Sequence, residues 1–415
     1  MTTKLLSELS TNISSGLTPL RSNAEFWENG TIPWLKTEQL GEKYIYETNE
    51  HISEAALKKT SIKLFPENSL SIAMYGEGKT RGNLSILKKA MATNQACCNV
   101  AIDPDKADFE YVYYFLKTQY NELRNLSSGV RKNLNSNDIK NYPIRLPENL
   151  DSQKKIASVL KALDKKIELN NRINAELEAM AKTLYDYWFV QFDFPDDSPQ
   201  GQGKPYKTSG GKMVYNPTLK REIPEGWEDA PLSSITGVSN ESINPADYPE
   251  KLFKHFSIPV FDATNTFGVE RGDTIGSNKF TVEETDLLVS KLNPWFNRVM
   301  YAMAEPEQIC STEFVVWRCP NTSIKNFMYM IATSPQFIAH CTQSATGTSN
   351  SHKRVNPNVM MRFDQPFNLK VAEKLGQHLE PILKQLIVNQ RENTKLASLR
   401  DWLLPMLMNG QVTVK

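Results

Sequence analysis

The sequence predicts an α/β protein: two pseudo-symmetric mixed α/β domains separated by a long antiparallel two-helix coiled coil. Three observations carry this expectation. Two helical patterns recur in one register 219 residues apart, shorter motifs recur ahead of each, and a segment rich in Pro and Gly lies between the halves. A chain of 415 residues has room for two or three domains, each with its own core.

The helical patterns come first. Ile156, Leu160, Leu163, Ile167, Asn170, Asn174, Leu177, Ala181, Leu184 and Trp188 alternate steps of four and three. Leu375, Leu379, Ile382, Leu386, Asn389, Asn393, Leu396, Arg400, Leu403 and Leu407 repeat them, each at the first position plus 219. A 3.5-residue apolar period sustained over several heptads is the coiled-coil signal. Polar residues on such a seam lower stability but specify register. An antiparallel pairing about the middle places Asn170 with Asn393 and Asn174 with Asn389, so each polar group finds a polar partner. A parallel pairing would satisfy them too, and in a plainer alternative each helix only covers its own domain.

Ahead of each helix, "TIPWL" (31–35) is echoed by "SIPVF" (257–261), and "TNQACCNVAI" (93–102) by "STEFVVWRC" (311–319). "SSGVRKNLNSNDI" (127–139) is matched by "ATGTSNSHKRVNPNV" (345–359). Runs such as "SLSIAM", "VAID", "LLVS" and "FVVWRC" read as short buried strands, and residues 109–124 as helix. The stretch 191–227 reads as an extended connector. The layout is then a first domain (1–147), a spacer helix (148–190), the connector (191–227), a second domain (228–370) and a second spacer helix with its tail (371–415).

Basic and acidic residues nearly cancel, at 48 and 47, so no overall field marks a polyanionic partner. Charge is nevertheless clustered. No acid occurs between 314 and 363, where Arg318, Lys325, Lys353, Arg354 and Arg362 lie, nor between 78 and 102, which holds Lys79, Arg81, Lys88 and Lys89. Five cysteines without a CxxC suit reduced thiols in a cytosol, and five scattered histidines have no ligand spacing. The opening "MTTKLLSELS" lacks the apolar stretch of a signal peptide, and no apolar run approaches a membrane span. The expected location is the cytoplasm.

Four long stretches then carry a family resemblance: "SSGLTPLRSNAEFWENGTIPWLKTEQL" (14–40), "LDSQKKIASVLKALDKKIELNNRINAELEAMAKTLYDYWF" (150–189), "KPYKTSGGKMVYNPTLKREIPEGW" (204–227) and "KLASLRDWLLPMLMNGQV" (395–412). In order and over essentially the whole chain, they resemble the specificity subunit of type I restriction–modification systems. The resemblance implies a non-catalytic subunit whose two target-recognition domains each read half of a bipartite, asymmetric sequence in double-stranded DNA. It implies two methyltransferase subunits as partners, joined in a full restriction complex by two restriction–translocase subunits, and no membrane. No cofactor is expected on this chain; S-adenosylmethionine, and ATP with Mg2+, belong to the partners. A helix from Ile156 to Trp188 would be roughly 50 Å long, against about 34 Å per turn of duplex. Helix length would then set the spacer between half-sites.

Two loop pairs are the candidate DNA contacts. One comprises Lys79, Thr80 and Arg81 in "AMYGEGKTRGN", with Lys291, Asn297 and Arg298 in "KLNPWFNR"; an offset of 217 aligns Arg298 with Arg81. The other comprises Ser128, Arg131 and Lys132, with Ser349, His352, Lys353 and Arg354. Arginine can fork onto guanine and asparagine onto adenine, whereas lysine mostly grips phosphate. Solvated loop charges are the bland alternative. Gly78-Lys79-Thr80 also ends a P-loop, which would make the chain an ATPase or helicase fragment. Counting back, however, finds Ala73 where that loop needs glycine. A coiled-coil scaffold binding only protein is the remaining alternative. Catalysis has no candidate: the nearest approach to a methyltransferase Asn-Pro-Pro-aromatic motif is Asn216-Pro217-Thr218.

Overall fold

The computed structural model describes residues 1–76, 80–126, 133–347 and 352–414. The chain divides into two compact units, Met1–Lys165 with Ala397–Lys415, and Lys166–Leu396. Each is mixed α/β.

In the first unit the wholly buried strand Leu70–Ala73 lies antiparallel between Leu84–Leu87 and Cys97–Ile102, in a five-stranded sheet. Its mostly apolar runs are those of strands with no wet face, and even Ser71, Ser85 and Asn99 within them are buried. The amphipathic helix Phe109–Thr118 starts where Asp108 accepts a hydrogen bond from the Tyr111 amide, satisfying an otherwise orphaned donor. Its Tyr111, Val112 and Leu116 join Leu70, Ile72 and Val100 in one core with Ile156 and Leu160 of the first long helix and Leu407 of the second.

The second unit repeats this frame. Asp286–Ser290 lies antiparallel between Val299–Tyr301 and Phe314–Arg318 in a four-stranded sheet, and the helix Thr322–Ala332 starts on the Asn321 cap. Backbone hydrogen bonds define the correspondence. Met74 N donates to Ala96 O at 2.8 Å and Leu134 N to Met74 O at 3.1 Å; Lys291 N donates to Glu313 O and Val355 N to Lys291 O, both at 3.0 Å. Asn94 N donates to Leu35 O as Ser311 N does to Phe256 O, both at 2.9 Å. Met74 therefore matches Lys291, Leu134 matches Val355, and Leu35 matches Phe256.

This correspondence corrects two expectations. The counterpart of "TIPWL", whose Ile32–Leu35 is a strand, is the strand Leu252–Phe256; "SIPVF" begins the helix Ile258–Thr264, with its proline in the first turn, where the missing N–H costs nothing. Arg298 matches Asn83, since Ala73 N bonds Asn83 O as Ser290 N bonds Arg298 O, at 2.8 and 3.0 Å. The first hairpin loop is two residues longer, which shifts the alignment. The repeated Asn-x-Asn has a structural reason: Asn135 and Asn356 cap the short helices Ser136–Lys140 and Pro357–Met360, accepting from the amides of Asn137 and Asn358, both at 2.9 Å.

The long helices span Leu150–Tyr185 and Leu369–Met408. In the second unit Asn170 Nδ2 donates to Asn393 Oδ1 at 2.9 Å and to Glu392 Oε2 at 2.7 Å, and Asn389 Nδ2 donates to Asn174 Oδ1 at 2.8 Å. Rising numbers on one helix meet falling numbers on the other, so the pairing is antiparallel. Leu177 and Ile382 pack against the core that contains buried Leu386, while Leu163, Ile167 and Leu396 are half-buried. In the first unit Arg400, on the same seam, donates to Asp164 at 3.0 Å. Asn174→Leu should strand the Asn389 amide and lower unfolding free energy by about 1–3 kcal/mol. The double variant N174L/N389L should recover most of it, read as urea midpoints.

The connector is folded rather than extended. Met213–Asn216 and Arg221–Pro224 form a hairpin. Phe192, Phe194 and Trp227 pack together, with Phe189 5.0 Å from Trp227 between ring centroids. Aromatic rings in a Pro/Gly-rich segment bury too much apolar surface to stay extended.

Candidate nucleic-acid interface

In the second unit the structure brings the two candidate segments together. After the strand Asp286–Ser290, the chain runs through Lys291 into Asn293, whose backbone is left-handed (φ 48°). Asn293 N donates to Lys353 O at 2.7 Å, and Lys353 N donates to Asn293 Oδ1 at 3.1 Å. Leu292 and Arg354 pair as a β-bridge, as do Thr346 and Arg354. One 3₁₀ turn, Pro294–Phe296, leads to Asn297, also left-handed at φ 48°, and then to Arg298.

The charges are less available than their sequence suggests. Arg298 forks onto Asp262, Nε to Oδ1 at 2.6 Å and Nη2 to Oδ2 at 2.8 Å, with 12% of its side chain exposed. Arg354 forks onto Glu313 at 2.9 and 3.1 Å, and those bonds raise its pKa further. Arg318 forks onto the buried Asp286, and Lys325 is itself buried, its amine donating to the carbonyls of Glu284 and Ala302. Lys88 and Lys89 meet Glu67 and Glu47. Acid-free in sequence is thus not acid-free in space. Among the described residues, Lys291 and Lys353 have no carboxylate within ion-pair distance. His352 is exposed beside them.

In the first unit Thr80 and Arg81 are half-buried, and Thr80 packs over Gly76. Gly82 (φ 86°) passes so close to Tyr120 and Arg124 that a Cβ would lie 3.0 Å from Arg124 Cγ. Lys79, Ser128, Arg131, Lys132 and, in the second unit, Ser349 lie outside the described residues. The same frame still holds both places, because Met74 starts the first loop and receives the bond from Leu134 just after the second. Thr80 leads into the strand Leu84–Leu87, antiparallel to Leu70–Ala73, so this is a hairpin. A P-loop needs a helix there to hold phosphate, and the ATPase alternative falls.

Sequence reasoning missed Asp262 and Glu313, which neutralise Arg298 and Arg354 from elements 36 and 41 residues away. It also passed over Trp295 and Phe296, 37% and 58% exposed. The asparagines flanking Pro-Trp-Phe were a usable signal, because Asn tolerates the left-handed conformation that a tight turn needs. Among the described residues no group of acids, histidines or cysteines could hold a metal, and no helix is long and apolar enough to cross a membrane.

Comparison with known proteins adds independent findings. The family model for the type I restriction modification DNA specificity domain matches residues 2–179. The type I restriction enzyme MjaIX specificity subunit of Methanocaldococcus jannaschii is 27% identical, over 97% of this chain and 91% of its own length. The EcoR124I/EcoR124II specificity subunit of Escherichia coli is 27% identical over 43% of this chain and 45% of its own. The crystal structure of the type I restriction–modification S subunit from M. genitalium shares the fold, with a TM-score of 0.63 at 15% identity, covering 98% of this chain and 95% of that one. Residues 2–179 thus match the type I DNA specificity domain, and nearly the whole chain is similar to a type I restriction enzyme specificity subunit.

Proposed function

We propose that this chain is a non-catalytic DNA reader in the cytoplasm, each unit recognising one half of a bipartite, asymmetric duplex target. The observation that carries this is one backbone frame used twice with different loops. Met74 and Lys291 hold the same bonds, yet "YGEGKTRGN" follows one and "LNPWFNR" the other. Equal frames with unequal loops are what two readers of unequal half-sites require, because base edges are read by the loop side chains. The chain would position two methyltransferase subunits, which bring S-adenosylmethionine to the target adenines, and, where a nuclease accompanies them, two ATP- and Mg2+-dependent translocase subunits.

Co-expression with its methyltransferase partner, followed by genome-wide mapping of modified adenines, tests this. A single asymmetric two-part motif with a fixed gap is expected; a contiguous motif, or none, overturns it. In the same assay, adding one heptad to both long helices should lengthen the gap by about three base pairs, since seven residues span about 10 Å and each base pair about 3.4 Å. An unchanged gap would sink the role of the helices as a ruler.

A further inference from the structure

We propose that Trp295 and Phe296 form a wedge that enters the base stack of the half-site read by the second unit; this rests on the DNA-reading role above. The turn that carries them is fixed by the asparagines on either side of it. Asn293 and Asn297 both take left-handed backbone at φ 48°, one on each side of the 3₁₀ turn Pro294–Phe296. Asparagine adopts this conformation more readily than other non-glycine residues, so the turn is set by its own sequence as well as by its surroundings. Here the surroundings are firm. Asn293 is bonded twice to the backbone of Lys353, and Pro294 is buried. The Arg298 guanidinium, held by Asp262, lies 4.6 Å from the centroid of the Phe296 ring.

This rigid base presents its two largest side chains outward. Trp295 is 37% exposed and Phe296 58%, their ring centroids 5.9 Å apart. A turn serving only the fold would direct such rings inward, as neighbouring Pro294 is directed. Lys291 precedes the turn and Lys353 is bonded to Asn293 at its start, and neither has a carboxylate partner among the described residues. Exposed apolar rings on a turn with unneutralised lysines close by in the backbone suit stacked bases and their phosphates, and apolar side chains inserted at base steps are a recognised way of bending and reading duplex DNA. A fixed wedge would also choose its sequence, because pyrimidine–purine steps unstack most easily. Arg298 becomes a positioning residue, holding the Phe296 ring while its charge is spent on Asp262.

The test uses the chain in complex with its methyltransferase partner, on duplexes carrying the mapped target with 2-aminopurine placed at successive positions of both half-sites. Wild type should raise the fluorescence severalfold at one step of one half-site only. W295A and F296A should each abolish that rise and weaken binding roughly tenfold, the scale of base–aromatic stacking, whereas W295F should keep it. Neither alanine changes a charge, so the salt dependence of binding should hold its slope, while K353A should lower that slope by about one. Circular dichroism melts verify that the variants fold, and the wild-type scan decides by itself if one does not. Binding by wild type with no rise at any position overturns the wedge alone. So do alanine variants that bind DNA normally but lose the methyltransferase, which would make the turn a protein contact. Failure of wild type to bind the target would instead remove the DNA-reading role and the wedge with it.

Discussion

Replacing Phe327 with alanine is expected to lower the unfolding free energy of the second unit by about 3–5 kcal/mol, the range for deleting a buried aromatic ring. Phe327 has no exposed surface. Its centroid lies 4.6 Å from that of Phe189, 5.8 Å from Phe367 and 6.2 Å from Tyr185. The ring thus joins the helix Thr322–Ala332 to the end of the first long helix, and its loss opens a cavity where the two meet. Urea unfolding followed by tryptophan fluorescence reports it, because Trp188 and Trp227 belong to the same cluster or pack against it. F327L should lose markedly less, as a smaller change in volume leaves a smaller cavity. A midpoint for F327A within error of wild type would refute this account of the core.

The second large effect is expected at Arg318. Its Nε and Nη2 fork onto Asp286 at 3.0 Å each, and its Nη1 reaches Glu241 at 2.9 Å. Asp286 is fully buried on the central strand, whereas Arg318 keeps 23% of its side chain exposed. The Asp286 fork, with Glu241 in support, raises the arginine pKa. R318M leaves a carboxylate in the core without its counter-ion and should lower stability by about 3 kcal/mol, toward the lower end for breaking a buried pair because the arginine is partly wet. Lysine cannot reproduce the planar fork, so R318K should recover only part. Removing both charges with D286L/R318M should restore more than either single variant retains. If R318M alone unfolds at the wild-type midpoint, Asp286 is not held by this fork.

The two halves were legible to different depths. The strands around "SLSIAM", "LLVS" and "FVVWRC" and the helix from Phe109 stood out, because an apolar run bounded by polar turns has few other uses. The polar layer between the long helices was within reach, since asparagines at matched seam positions need one another, but its antiparallel direction came only from the bonds of Asn170 to Asn393 and Asn389 to Asn174. The echo of "TIPWL" in "SIPVF" misled because a proline serves a strand in one place and a first helical turn in the other. Pairing Arg298 with Arg81 misled because hairpin loops differ in length without disturbing the strands that frame them, and only ladder register reveals the offset. The connector looked extended because its glycines and prolines are local signals, whereas the burial of Phe192, Phe194 and Trp227 is not.

For the candidate interface the division is sharper. The amino-acid sequence alone determined that two similar frames exist, where their variable loops fall, and that long helices with a polar middle accompany them. These properties are periodic or local, set by which side chains must leave water and at what spacing. Only the tertiary structure decided which charges remain available. Asp262 and Glu313 neutralise Arg298 and Arg354 from distant elements, and Asp286 takes Arg318. Lys291 and Lys353 are left without a carboxylate partner among the described residues, and the rings of Trp295 and Phe296 are left exposed. Electrostatic pairing acts through space over a few ångströms, so a charge count along the chain cannot see it until the fold brings the partners together.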